Sequence, residues 1–210
     1  MIKVNATLIG RITSSAVIKT DRNERPFLRF EVAVVLQDAK TKQNEVTFVV
    51  TDYQGSQSDL SKYVEKKRVE VKGDLRIRKN GEDFSFYLGV SEINMKDLPS
   101  IDNVGGELSF TGHTNKKGAE IWHDKKNRPF VSLSCRSTEK INDDTYVDTW
   151  VDFLRFPAKD QKEEDLVPDW LVPKCKLNIT GDFQLRSYDS KLRFSSRVKE
   201  WSLYVPKKND

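Results

Sequence analysis

The chain has 210 residues, 37% apolar and 32% charged, with a net charge of +4. A core spread so thinly favours small domains with much surface over one large globule. So slight a positive excess permits a local basic face without demanding one, and it excludes a chain that binds polyanions by bulk charge alone.

A first strand is predicted over 2–12, followed by a polar turn through Asp21. DRNERPF at 21–27 leads into FLRFEVAVV, whose alternation predicts a strand over 27–36. A third strand is predicted over 45–51 and a short helix over 59–65, with Ser56 and Asp59 at capping-box spacing. A fourth strand over 68–78 is followed by Asn80-Gly81, a strong hairpin signal, and a fifth strand over 83–95. Residues 96–105 contain Pro99 and run into Gly105-Gly106, so a linker is placed at 98–105, between domains over 1–97 and 106–205.

The second domain repeats the first. DKKNRPF at 124–130 echoes DRNERPF, with Asp124 103 positions after Asp21. FVSLSCRS at 130–137 follows it, as FLRFEVAVV follows the first copy, and DTWVDFLRF at 148–156 aligns with VTFVVTDY at 46–53 at the same offset. LNITGDFQLR at 177–186 aligns with VEVKGDLRIR at 69–78 at an offset of 108, which places a five-residue insertion between. Pro168 limits the second helix to a short piece, and Tyr188-Asp189-Ser190 forms the second hairpin turn. Residues 206–210 are a short tail. Three strands, a short helix and two strands is the element order of an OB-fold; another small barrel or an open α+β sheet also fits the pattern.

Three stretches carry a family resemblance. GDLRIRK at 73–79 resembles the fourth strand of bacterial-type single-stranded DNA-binding proteins, where a Gly opens a Leu-Arg-x-Arg-Lys run. DTWVDFLRF resembles that family's third strand, and KYVEKKRVEVKG at 62–73 resembles the stretch leading into its fourth. The chain is similar to the family's tandem two-domain form. The resemblance implies an all-β protein of two tandem OB-folds, five-stranded Greek-key barrels with a short helix between strands 3 and 4. It implies sequence-nonspecific binding of single-stranded DNA in replication, recombination, repair or DNA transfer. It also implies a homodimer presenting four OB domains, no cofactor, and replication or recombination proteins as partners. The family's acidic tail is missing from the terminal VPKKND, so tail-mediated recruitment is expected to be absent or supplied by another protein.

Carried over by position, Trp150, Phe156 and Tyr188 fall on the family's stacking positions in the second copy. Residues 150 and 156 differ by an even number, which places both on one face of an unbroken strand. At the first copy's equivalents an offset of 103 puts Thr47 and Tyr53 and an offset of 108 puts Asn80, while Asp38 and Ile141 replace a fourth family aromatic. This predicts an asymmetric pair: the second copy stacks bases and the first holds phosphate. Phosphate contacts are expected from Arg76, Arg78 and Lys79, with Arg155, Arg186, Lys191 and Arg193 as weaker candidates and Arg25 and Arg128 beside the repeated turns. Tyr53 is retained as a DNA-binding candidate. Trp122, flanked by His123, Lys125 and Lys126, suits a base platform or a protein interface. Trp170 and Trp201 read as core or interface, and Phe30, Phe86, Phe130 and Phe194 as core.

Other chemistry finds little support. No phosphate loop or nucleophile elbow occurs, and Asp143-Asp144 reads as a polar turn. His113, His123, Cys135 and Cys175 lack metal-ligand spacing, so no metal and no enzymatic activity are expected. Two reduced cysteines, a polar MIKVNATLIG start and the lack of a spanning apolar run predict a soluble cytoplasmic protein without a membrane partner. The alternative from another class is an OB-fold adaptor or structural subunit, with Trp122 and Trp201 at partner interfaces. Structured RNA and saccharides are further ligands that OB-folds take.

Overall fold

The computed structural model describes residues 1–81, 83–140 and 145–206, apart from the Asn80 side chain. Ile141, Asp143-Asp144 and the chain from 207 onward lie outside the described residues. Lys3–Gly106 and Leu185–Leu192 form one compact unit; Met1–Ile2, Glu107–Gln184 and Arg193–Asp210 form the other.

The strands of the first unit are β1 (Ile2–Thr20), β2 (Pro26–Gln37), β3 (Asn44–Tyr53), β4 (Arg68–Asn80) and β5 (Asp83–Asn94). They close in the order β1-β2-β3-β5-β4-β1, with β3–β5 the parallel pair. β1 belongs to two ladders. It pairs β4 over Val4–Arg11 and β2 over Arg11–Thr20, with register shifts at Ile12/Ser14 and Ser14/Val17. Such bulges bend a strand, which lets one 19-residue strand turn the corner of a small barrel.

The remaining strands, most of whose length lies in the second unit, make the same circuit. β6 (Asn103–Thr114), β8 (Pro129–Lys140), β9 (Tyr146–Arg155), β11 (Lys191–Leu203) and β10 (Lys176–Tyr188) run round in that order and return to β6. The parallel pair is β9–β11. The long first strand is here divided: β6 meets β8 only at His113 and Thr114, and β7 (Glu120–His123) carries the pairing on beside β8. Both circuits are the five-stranded Greek-key barrel of an OB-fold, as expected. β6 begins at Asn103, inside the span read as linker. Pro99 and Asp102 from that span grip Arg68: its Nε donates to the Pro99 carbonyl at 2.7 Å and its Nη1 to Asp102 at 2.6 Å.

Alternation fills the interiors. Leu28, Phe30, Val32 and Val34 of β2 are buried, as are Val131, Leu133, Cys135 and Ser137 of β8, while their neighbours face out. Phe110 meets Phe153 edge-on at 5.0 Å in the second barrel, and Phe183 stacks on Phe194 at 6.2 Å. Where short helices were expected, only 3-10 segments form, Gln57–Lys62 and Glu163–Asp165. The Ser56–Asp59 capping box is made, its Ser56 N–H donating to Asp59 at 3.0 Å. The chain then turns away because Tyr63 must tuck its ring against Phe30, stacked at 5.4 Å and 2°. Gly73 sits at a register shift against β5, where an added Cβ would lie 2.0 Å from the Gly89 carbonyl oxygen; Gly181 approaches the Arg197 carbonyl oxygen as closely, at 2.3 Å. Close backbone approach explains why both copies carry glycine at these two places.

The repeated heptads are one hairpin turn built twice. Asp21 Oδ1 accepts the N–H groups of Asn23 and Arg25, and its Oδ2 accepts Arg25 Nε at 2.9 Å. Asp124 takes Lys126, Arg128 and Arg128 Nε at 2.8 Å in the same way. Glu24 and Asn127 hold the left-handed corner, at φ 59° and 56°. Phe27 and Phe130 then enter their strands on the outward side: the core reading of Phe130 is corrected, since Val131 is its buried neighbour.

Candidate functional site

In the second unit an aromatic row crosses the outer faces of β7, β8 and β9. Trp122 pairs with Phe130 across β7–β8, and the Phe130 ring lies 5.7 Å from Phe156, tilted by 30°. Arg197 of β11 places its guanidinium 4.9 Å from the centre of the Phe156 ring. Trp122 is 55% exposed and Trp150, farther along β9, 45%. Six residues of strand separate Trp150 from Phe156, about 20 Å, and the buried Val151 and Phe153 between them confirm that both face out. Trp150 stands opposite Arg136, whose Nη1 is held by Asp148 at 2.9 Å. Ser134 donates to Asp152 between these positions. The face offers flat rings at its two ends, with guanidinium groups beside them.

The first unit has a matching face, displaced by one residue from the expectation. β2–β3 pairs Val32 with Val49 and Phe30 with Thr51; β8–β9 pairs Cys135 with Val151 and Leu133 with Phe153. β2 and β8 correspond at an offset of 103, so β3 and β9 correspond at 102. Phe48, not Thr47, therefore occupies the place of Trp150. Burial agrees: Phe48 is 52% exposed and Thr47 only 6%. A one-residue slip moves every side chain to the opposite face, which is why the constant offset misassigned this strand. Phe48 stands opposite Ala33, whose small side chain leaves the ring uncovered. Beside it on β5 lies Tyr87, adjacent to Val50 and under the Arg78 guanidinium at 5.2 Å. Arg76 and Arg78 are exposed on β4 and share the outward face, Arg76 opposite Tyr87. Rings and guanidinium groups thus occur on the outward face of each copy, not rings on one and cations on the other.

The other predicted residues separate from these faces. Tyr53 and Arg155 are register equivalents, paired with Leu28 and Val131 on the interior side. Tyr53 meets Tyr63 edge-on at 5.9 Å. Arg155 lies 4.3 Å over the Trp201 ring, and burial pulls its pKa down. Trp201 also packs edge-on to Trp170 at 6.3 Å. Both side chains are half-buried on the interior side of their strands, away from the outward faces. Lys79, alternating with Arg78, is half-buried on the opposite side. Tyr188 is exposed at the end of β10 and Arg186 is exposed two residues before it; both belong to the first unit's hairpin, turned by Asp189 and Ser190 at φ 56°. Lys191 and Arg193 are exposed. Arg25 and Arg128 are paired with Asp21 and Asp124, at 2.9 and 2.6 Å.

Asp38, read as a lost aromatic, is a fully buried carboxylate. Its Oδ1 accepts the N–H groups of Lys40 and Thr41, at 2.8 and 2.7 Å; its Oδ2 accepts the Ser187 hydroxyl at 2.6 Å and the Ser190 N–H at 3.0 Å. Burial pushes this carboxyl upward, but the four hydrogen bonds outweigh it and hold the group well below the usual carboxylate range. Within the first unit it fastens the β2–β3 loop to the hairpin that carries Tyr188.

Sequence reasoning missed Phe48, Tyr87, Phe130 and Arg197. For Phe48 a signal was present, because both copies place an aromatic residue directly before a valine, Phe48-Val49 and Trp150-Val151.

No protein-family model matches the chain, and no curated protein sequence does. Among solved structures, the chain is similar to the wild-type single-stranded DNA binding protein from Thermus aquaticus, with a TM-score of 0.48 and 11% identity over 100% of this chain and 96% of that one. It is also similar to the small single-stranded DNA-binding protein from Streptomyces coelicolor, with a TM-score of 0.34 and 19% identity over 43% of this chain and 92% of that one. The mitochondrial single-stranded DNA binding protein from S. cerevisiae gives a TM-score of 0.32 and 21% identity over 44% and 96%.

Proposed function

We propose that this chain binds single-stranded DNA without sequence preference through the outward faces of both barrels. The observation that carries the reading is the pairing of rings with guanidinium groups on each face: the exposed Phe48 and the half-buried Tyr87 with Arg76 and Arg78, and the exposed Trp122, Trp150 and Phe156 with Arg136 and Arg197. Every base has a flat face, so stacking on such rings tolerates any sequence and contributes about 1–3 kcal/mol per base. The guanidiniums neutralise phosphates and displace condensed counterions. The barrels over 1–97 and 106–205 act as two binding domains. A homodimer brings four such faces together, suited to protecting strands in replication, recombination or DNA transfer.

Titration with labelled oligo-dT at low and moderate salt tests this. If Arg76, Arg78 and Arg197 each take one phosphate, log Kobs falls against log salt with a slope of about −2. Tryptophan fluorescence is quenched on binding, and Trp150→Ala removes much of the quenching. No binding, or binding indifferent to salt, overturns the reading and leaves an adaptor role in its place.

A further inference from the structure

We infer that the first unit holds a second anion site, a cavity that takes a phosphate monoester, separate from the stacking face. The cavity is an open pocket of about 460 Å³, lined by Arg11, Arg68 and Arg186 among others, with Asp102 as the one acid among its lining residues. The lining therefore carries a net charge of +2. Phe48, Tyr87, Arg76 and Arg78 do not line it.

Three observations point to a doubly charged anion. First, Arg11 and Arg68 stand directly opposite each other across the β1–β4 ladder. Like charges in that position repel, and an anion between or beside them relieves the repulsion. Second, Arg68 is held on two sides and left without a hydrogen-bond partner on the third. Its Nε and Nη1 are taken by Pro99 and Asp102, while Nη2 is buried without an acceptor in the protein. A buried donor left unsatisfied is costly, and a fixed guanidinium presents its remaining N–H groups in a set direction, as phosphate recognition requires. Third, Asp102 is a single carboxylate among three lining guanidinium groups, and both its oxygens are already engaged. Its Oδ1 is engaged by Arg68, and its Oδ2 accepts the Val35 N–H at 2.9 Å. Val35, Leu36 and Ile101 supply an apolar wall beside the cations, so the cavity suits a phosphate attached to a small organic body, such as a nucleotide or the end of a strand.

Calorimetric titration of the full chain with inorganic phosphate, dTMP, and 5′-phosphorylated or 5′-hydroxyl oligo-dT tests the site. Phosphate and dTMP bind, and Arg11→Gln or Arg186→Gln weakens them roughly 10- to 100-fold, the loss expected of a charge-assisted contact. Both residues are exposed, so these variants fold. Lys19→Gln, at an exposed cation of β1 that does not line the cavity, leaves dTMP binding unchanged. A preference for the 5′-phosphorylated strand that Arg11→Gln abolishes identifies the occupant as a strand end; dTMP binding without that preference identifies a free phosphate monoester. No heat with phosphate or dTMP at concentrations up to about 10 mM, a binding free energy of only about −3 kcal/mol, overturns the site. So does a loss of dTMP binding confined to an Arg76→Gln/Arg78→Gln variant, an outcome that leaves the stacking reading intact.

Discussion

Phe48 and Thr47 are neighbours on β3 that face opposite ways, and substituting each separates the two consequences of that difference. Phe48→Ala removes a ring that is about half exposed. Burying a whole phenylalanine contributes about 1.5–3 kcal/mol, so losing a half-buried one costs about 1 kcal/mol of stability. On binding, the same change deletes a stacking platform worth about 1–3 kcal/mol, which is roughly a 5- to 140-fold weaker Kd. Thr47→Val keeps the volume of a side chain buried inside the barrel and removes only its hydroxyl. Its oligo-dT affinity stays within about twofold, since no base reaches that side of the strand. The assay is fluorescence-anisotropy titration with oligo-dT at one fixed salt concentration, with urea melts on the same preparations. If Thr47→Val weakens binding while Phe48→Ala does not, β3 is displaced by one residue and the equivalence of Phe48 with Trp150 fails. If neither variant changes binding while Trp150→Ala does, the first barrel has no stacking face.

Acid sensitivity follows from the turn aspartates. The Arg128 side chain, joined by backbone N–H groups, holds Asp124 at about 2 against an ordinary 3.8, and Lys62 with Ser56 holds Asp59 at about 2. A depressed carboxyl contributes stability that is complete above its unfolded value and is lost as pH falls through its folded one. Urea midpoints for the wild type therefore drop between about pH 4 and pH 2, and Asp124→Asn shows a shallower drop over that window; equal slopes would remove Asp124 from the account. Gly73→Ala drives a Cβ to within 2.0 Å of the Gly89 carbonyl oxygen. Overpacking costs about 1–3 kcal/mol, and a clash with rigid backbone lies at the upper end, so Tm falls by roughly 12–24 °C, whereas Gly81→Ala, with nothing within 4 Å of its Cβ, costs only the strain of a left-handed turn. Similar Tm values for the two variants would contradict the close strand approach.

Sequence alone determined a good deal of this protein. DRNERPF and DKKNRPF state the same five-residue turn because a local device, one carboxylate capping its own loop, needs only nearby residues. Alternation in FLRFEVAVV and FVSLSCRS marks which side chains fill the interior, and the element order narrows the fold to an OB-fold, another small barrel or an open sheet. Trp150 and Phe156 were legible as one outward pair because a strand's period of two is a local property. What lay beyond reach depended on pairing between distant segments. Register across β2–β3 and β8–β9 decided that Phe48 and not Thr47 faces out, and it moved Tyr53 and Arg155 to the packed side. Only the fold brought Asp38 to Ser187, 149 positions away, and turned an apparently lost aromatic into a buried clasp. A strand's pattern says that its faces differ; which face meets the ligand is set by the neighbour it pairs with, and that neighbour is chosen by the closed barrel.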